Sequence, residues 1–354
     1  MMQMTSHAGL DPRALATSIA RTDFVRRPAP EPGRAGHREW LHFSIEEAGL
    51  TLLVNFSVVD DLRPSAPHGR ERGRLTVLVR RQGRWDGGAD ELPVEVHGGR
   101  IFAAVGESHV EFEAGVFALR VRLRDRPIAF DVSLRPLSFP SLASNVALGR
   151  RDQAINWVVV PLLRADGWLT IGDERHEICG VPAYHDHNWG YFDHRDFTWQ
   201  WGHALPDAPS SPFSAVFTRL LNGAQTEAYE QALLLWRDGR QHRVFRGDEI
   251  EVRAEGLLRK DGFFTVPRRG KLLAGGTAID IPKRIRFEAQ GRRDAVSGSF
   301  EAIDAAQIVV PNDHDLGTTL IHEVVGTFEL GGSIRGQPFE LRGNAVFEHL
   351  GRGP

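Results

Sequence analysis

From Arg38 onward the chain alternates apolar and polar residues in short runs, the period of β-strands with one buried face. Leu50 to Val59, Arg74 to Val79, Glu91 to Val96, Val116 to Leu123 and Ile128 to Leu134 all read this way. Dipeptides that favour tight turns stand between such runs: Gly98-Gly99, Asp166-Gly167, Asn222-Gly223, Asp238-Gly239 and Asp261-Gly262. Gln231 to Trp236 and Gln241 to Phe245 predict a hairpin across Asp238-Gly239. Glu323 to Leu330 and Gln337 to Glu348 predict another across Gly331-Gly332. Helical period is confined to the start, where Asp11-Pro12 ahead of Arg13 to Ala20 predicts a short capped helix. The stretch from Arg26 to Arg34, rich in Pro and Arg, reads as a linker. The expected class is all-β, with antiparallel sheets closing into barrels. In the last run Gly343 and Ala345 alternate with Phe339, Leu341 and Phe347, small residues that suit the close approach of strands.

At 354 residues the chain is long enough for two domains. The Pro- and Ser-rich segment Pro206 to Pro212 places the seam. It gives a leader over 1–36 with a short helix, a first barrel over 37–205 and a second over 206–354. A net charge of −3 offers no footprint for nucleic acid or an anionic membrane. The single cysteine, Cys179, excludes an internal disulfide and lies in an apolar run, so a buried, inert thiol is expected. No run reaches the ~20 apolar residues that a spanning helix needs. A cytoplasmic protein is expected, without an integral membrane segment but free to meet a membrane-dissolved substrate at the surface. Nucleotide chemistry has no support either, since the chain lacks a phosphate-cradling Gly-rich loop, a nucleophile elbow and a dinucleotide fingerprint.

Candidate chemistry concentrates in Tyr184-His185-Asp186-His187-Asn188-Trp189-Gly190 and the run Phe197-Thr198-Trp199-Gln200-Trp201-Gly202-His203. In an extended strand Phe197, Trp199, Trp201 and His203 share one face. Three readings compete. In one, Asp186 is a general acid whose proton affinity is raised by an apolar cavity, and it protonates an alkene or polyene. Tyr191 and the indoles of Trp189, Trp199 and Trp201 then steady the cation, while His185 and His187 relay the proton and Asn188 holds a water or carbonyl. In another, His185 and His187 are metal ligands, completed from His194, Asp193, Asp196 or His203. In the third the polar groups cross-link loops at a barrel mouth and the indoles fill a core. Glu39 and His42, in Arg38-Glu39-Trp40-Leu41-His42-Phe43, either face a cavity or, the favoured reading, belong to an ordinary packed strand.

The stretch Val181 to Gly190 followed by Trp199-Gln200-Trp201, with the aromatic run at Trp40 and the final Gly343 to Glu348, resembles the AttH-like and hydroxyneurosporene synthase (CrtC-type carotenoid 1,2-hydratase) family. The resemblance spans about 37–350 and is specific only in its central motif. It implies two lipocalin-like barrels packed together and a long apolar isoprenoid or polyene as substrate. It also implies cofactor-independent chemistry: water addition to a double bond, terpenoid cyclisation, or pericyclic ring closure. On that basis Asp186 is the candidate acid, with Tyr184, His185 and His187 beside it. Asn188, Trp189, Tyr191, Phe197, Trp199, Trp201, His203 and Trp40 are the candidate substrate contacts, and neither metal nor cofactor is expected. A metal-dependent enzyme using His185 and His187 is one alternative. A non-catalytic carrier of an apolar molecule is the other.

Overall fold

A computed structural model describes residues 9–26, 36–60, 71–149, 152–194, 196–206, 211–260, 262–270, 281–311 and 318–352. The class is all-β, as the alternation predicts, with one α-helix, α1 (Pro12–Thr22). Asp11 caps that helix through its carboxylate, which accepts from the Arg13 amide at 2.9 Å. Most of the proposed 26–34 linker, the Asp261 turn position and most of Pro206 to Pro212 lie outside the described residues.

The first sheet comprises β1 (His37–Glu47), β2 (Leu50–Asp60), β3 (Glu71–Arg81), β4 (Arg84–Val96), β5 (Phe102–Val105) and β6 (Ser108–Glu113). It continues through β7 (Val116–Arg122), β8 (Ile128–Pro136), β9 (Ser141–Ala147), β10 (Ala154–Ile171) and β11 (Glu174–Tyr191). Consecutive strands pair from β1 to β8, β8 pairs β10, and β11 pairs both β10 and β1. That circuit closes a barrel, and β9 adds to β10 outside it. Leu41, Phe43, Phe56, Val77, Phe117, Phe130 and Ala183 fill the inside. A helix of this length is marginal in water, so its burial matters. Leu15, Ile19 and Val25 join the same core, and Val25 exchanges backbone hydrogen bonds with Gly99 and Arg100. The segment expected as a leader is thus built into the first unit from α1 to Arg26.

The second sheet contains β12 (Phe197–Pro206), β13 (Phe213–Asn222), β14 (Ala228–Arg237), β15 (Arg240–Arg246) and β16 (Ile250–Leu257). Also in it are β17 (Phe264–Val266), β18 (Pro282–Gln290), β19 (Ala295–Pro311), β20 (Thr318–Ile334) and β21 (Gln337–Arg352). Its order is β15-β14-β13-β12-β21-β20-β19-β18-β16, with the short β17 parallel to β19. The ends β15 and β16 share no ladder among the described residues. Gln231 spans the gap, its amide donating to the Gly247 and Ile250 carbonyls at 2.9 and 2.8 Å. Phe217, Leu233, Phe287, Phe300, Phe328 and Phe347 form this core.

The compact units divide between Asp193 and His194, upstream of the 205/206 seam read from the sequence. The reason is pairing: β12 bonds to β13 and β21, so it belongs wholly to the second sheet. Two predicted turns are instead strand interior. Gly167 and Gly332 both have φ of 151°, and a Cβ on either would stand 2.1 Å from a neighbouring backbone oxygen. The hairpins close one step later, at Gly172-Asp173 and at Arg335-Gly336, where φ is 52° and 75°. Asp238-Gly239 does form its predicted hairpin, with φ of 52° and 70°. Cys179 is exposed rather than buried, because it points away from the inward-facing Ile178.

Candidate active site

The central motif lies on β11, and a bulge decides which way its residues point. At Gly180, with φ of 69°, the register against β10 shifts, and the Gly180 amide donates to Asp166 Oδ1 at 2.9 Å. Beyond the bulge Val181, Ala183, His185 and His187 face the barrel interior. Tyr184, Asp186 and Asn188 face the other way. The residues expected to form one site therefore divide between two faces of one strand.

Inside the barrel His185 stacks on Phe43 at 4.1 Å and lies against Phe117 at 4.7 Å. Its Nε2 donates to Asp23 Oδ2 at 2.9 Å, and its Nδ1 faces the His42 carbonyl oxygen at 2.8 Å. His187 donates from Nδ1 to Asp23 Oδ1 at 2.6 Å and from Nε2 to Glu39 Oε1 at 2.7 Å. All four ring nitrogens are engaged, and Asp23, Glu39, His185 and His187 are each fully buried. Burial alone would lower His187 and raise Asp23. The hydrogen bonds and opposite charges outweigh it, pushing His187 up to about 9 and holding Asp23 well below the carboxylate range. Glu39 also accepts from the Arg26 amide at 2.9 and 3.1 Å. The Arg26 guanidinium covers the Trp189 ring at 3.5 Å. His37 meets Tyr191 edge-on at 5.3 Å.

This cluster ties the chain after α1 to β1 and β11. The strand backbone separates it from Asp186. A metal at His185 and His187 would have to displace partners already in place, and no group of three ligating side chains with the spacing for a metal occurs among the described residues. Trp189, expected to touch substrate, is occupied by Arg26.

On the opposite face Asp186 is 2% exposed. Its Oδ2 accepts from the Tyr184 hydroxyl at 2.9 Å and its Oδ1 from the Asn188 amide at 3.0 Å. Cross-strand partners extend the patch: Ser44 opposite Tyr184, His42 opposite Asp186, and Trp40 opposite Asn188 on β1. On β10, Val159 lies opposite Asp186 and Trp157 opposite Asn188. Trp40 also meets Phe192 edge-on at 5.8 Å. Ser44 donates to Glu46 Oε1 at 2.9 Å. Tyr184, Ser44, His42 and Glu46 are all buried. Trp157 and the direct opposition of His42 to Asp186 escaped the sequence reading. Both follow from register, which a single strand's alternation does not reveal.

Phe197, Trp199, Trp201 and His203 belong to the second unit, on one face of β12 as predicted. Ring contacts run along that face: Phe197 to Trp199 at 5.6 Å and Trp201 to His203 at 5.5 Å. Gly202 and Ala204, on the other face, line the barrel core around a void of about 10 Å3, room for one water. The Trp199 indole donates to Glu348, which stands opposite Glu323 on β20. Burial pushes the Glu348 carboxyl up, against the Trp199 and Glu323 hydrogen bonds. His194 packs on Trp199 at 5.5 Å. On the inner face of the second sheet His322 is also fully buried, with Gln307 Nε2 at 3.1 Å from its Nε2. Burial and the neighbouring His349 lower it to about 3.

No family model matches the chain, and no curated protein does. Solved structures match it along nearly its whole length. An AttH-like protein from Nitrosomonas europaea is 14% identical with a TM-score of 0.63, over 93% of this chain and 99% of its own. CghA in complex with Sch210972 is 16% identical with a TM-score of 0.61, over 94% and 96%. Kievitone hydratase from Nectria haematococca is 12% identical with a TM-score of 0.54, over 93% and 93%. These likenesses show that the all-β fold is shared along nearly the whole chain. Within it the chain is similar to the AttH-like protein, CghA and the hydratase alike. No described helix is long and apolar enough to cross a membrane.

Proposed function

We propose that this chain is an enzyme of the AttH-like and CrtC-type family that binds an apolar isoprenoid or polyene and protonates a carbon–carbon double bond from Asp186. Capture of the cation by water gives hydration, and capture by an internal alkene gives cyclisation. Neither path calls for a cofactor. The observation that carries this reading is the buried Asp186 carboxyl, held by the Tyr184 hydroxyl and the Asn188 amide on a face shared with Trp40 and Trp157. An alkene carbon is a poor base, so its protonation needs a proton that leaves readily. Donors on both oxygens stabilise the carboxylate left behind, and indole faces stabilise the cation formed. A neighbour named as a hydratase in the same fold supports the same class of chemistry.

The roles divide accordingly. Asp186 is the acid, Tyr184 and Asn188 orient it, and Trp40 and Trp157 contact substrate. Trp189, Tyr191, His185 and His187 are assigned to holding β11 in place. The test is incubation with a panel of acyclic isoprenoids in D2O. One deuterium is expected in the product per turnover, and Asp186→Asn is expected to lose at least about a hundredfold in rate. An unchanged rate in that variant contradicts the proposal.

A further inference from the structure

A proton given to carbon has to be replaced, and the water that captures the cation has to lose one. A second acid–base group on the same face takes the proton of the capturing water from another side of the cation and passes it to the Asp186 carboxylate. The residue directly across from it is His42, the Cα partner of Asp186 in the β1–β11 ladder. Directly opposed residues in an antiparallel pair have Cβ atoms about 4.5–5.5 Å apart and project from the same face. His42 is 2% exposed and shares that face with the titratable groups Tyr184 and Glu46 and, four residues earlier on β1, with Arg38. The flanking strands contribute none at these rows: β2 presents Asn55 and Ser57, and β10 presents Val159 and Trp157.

The position of His42 is fixed from behind. Its carbonyl oxygen is held by His185 Nδ1 at 2.8 Å, and His185 is held in turn by Asp23 at 2.9 Å. The buried cluster thus sets the height of β1 at the residue facing Asp186.

We propose that His42 is the second acid–base group of this site, an assignment that rests on the proton-transfer reading of Asp186. In hydration the Asp186 O–H bond breaks as a C–H bond forms, leaving a carboxylate and a carbocation. Water adds its oxygen to the cation, His42 takes the proton released from that water, and the imidazolium returns it to the Asp186 carboxylate. The balance is one water consumed and both catalytic groups restored. In cyclisation ending in an alkene, His42 takes the proton from the carbon beside the cation and releases it to solvent, and a solvent proton restores the Asp186 carboxyl through His42. His185 is a positioning residue acting through the His42 backbone.

Two measurements on the full chain test this. Side-chain NMR of His42 in the wild type and in Asp186→Asn needs no substrate. Because the two groups share their protons, replacing Asp186 is expected to change the strength of proton binding at His42 by at least about tenfold. A change below about 1.5-fold overturns the pairing. With isoprenoids in D2O, His42→Gln is expected to slow turnover by at least about thirtyfold. In His42→Gly, added imidazole is expected to restore part of the rate, and it should do nothing for Asp186→Asn. If Asp186→Asn is inactive while His42→Gln matches wild type, His42 is not the second group and the acid reading stands. If neither variant slows turnover, the acid reading itself falls.

Discussion

Each unit buries a histidine completely, and the two are driven in opposite directions. His187 sits between the carboxylates of Asp23 and Glu39 and is held as a cation, raised to about 9. His322 faces Gln307 with His349 nearby and is held neutral, lowered to about 3. Burial disfavours the charged form at both sites. Only in the first unit are there opposite charges close enough to outweigh it. Depth does not set the charge state of a buried imidazole; its partners do.

The largest effect that could break this comparison comes from removing a partner of His187. Asp23→Asn leaves a buried cation with one carboxylate and is expected to destabilise the first unit by about 3–5 kcal/mol. Hydrogen exchange in β1 and β11 checks it, because a two-unit chain need not unfold in one step. An unchanged exchange rate there would mean that the cluster is incidental.

pH separates the two sites next. His187 binds its proton more tightly folded than unfolded, so its contribution is fully present below about 6.5 and fades as pH rises towards about 9. His322 binds its proton less tightly folded, so stability is lost as pH falls from about 6.5 towards about 3. The shifts are worth on the order of 3 kcal/mol at His187 and 5 kcal/mol at His322. Asp23, held low, contributes fully above about 3.8 and loses that contribution progressively as pH falls below it. Exchange followed across pH should therefore loosen the first unit on the alkaline side and the second on the acid side.

A smaller effect is expected in the second unit. His322→Leu removes a neutral group and leaves the Gln307 amide without its acceptor, at about 1–3 kcal/mol by urea unfolding. Smaller again is Arg26→Ala, which uncovers Trp189 while the backbone amide stays on Glu39. About 0.5–1 kcal/mol and an altered tryptophan emission are expected.

Much of the fold was legible from alternation and turn chemistry: the all-β class, the capped helix and the Asp238-Gly239 hairpin. Less legible was anything set by register. The Gly180 bulge sends His185 and His187 inward, a step no period-2 pattern contains. Asp23 lies 162 residues from His185, and Glu39 lies 148 from His187, so the cluster has no local signature. Gly167 and Gly332 read as turns because close backbone approach and tight turns both select glycine. Within the motif, Tyr184, Asp186 and Asn188 stood out by type. That they share a face which the two histidines do not became visible only through their hydrogen bonds.

The claim at the centre is that one strand divides stability from chemistry between its two faces. Its most direct test is turnover in D2O of Asp186→Asn beside wild type, on protein whose thermal midpoint is measured in the same samples. The account predicts an unchanged midpoint and loss of deuterium incorporation. A variant that still deuterates its product at the wild-type rate, or that loses activity only because it melts, would contradict it.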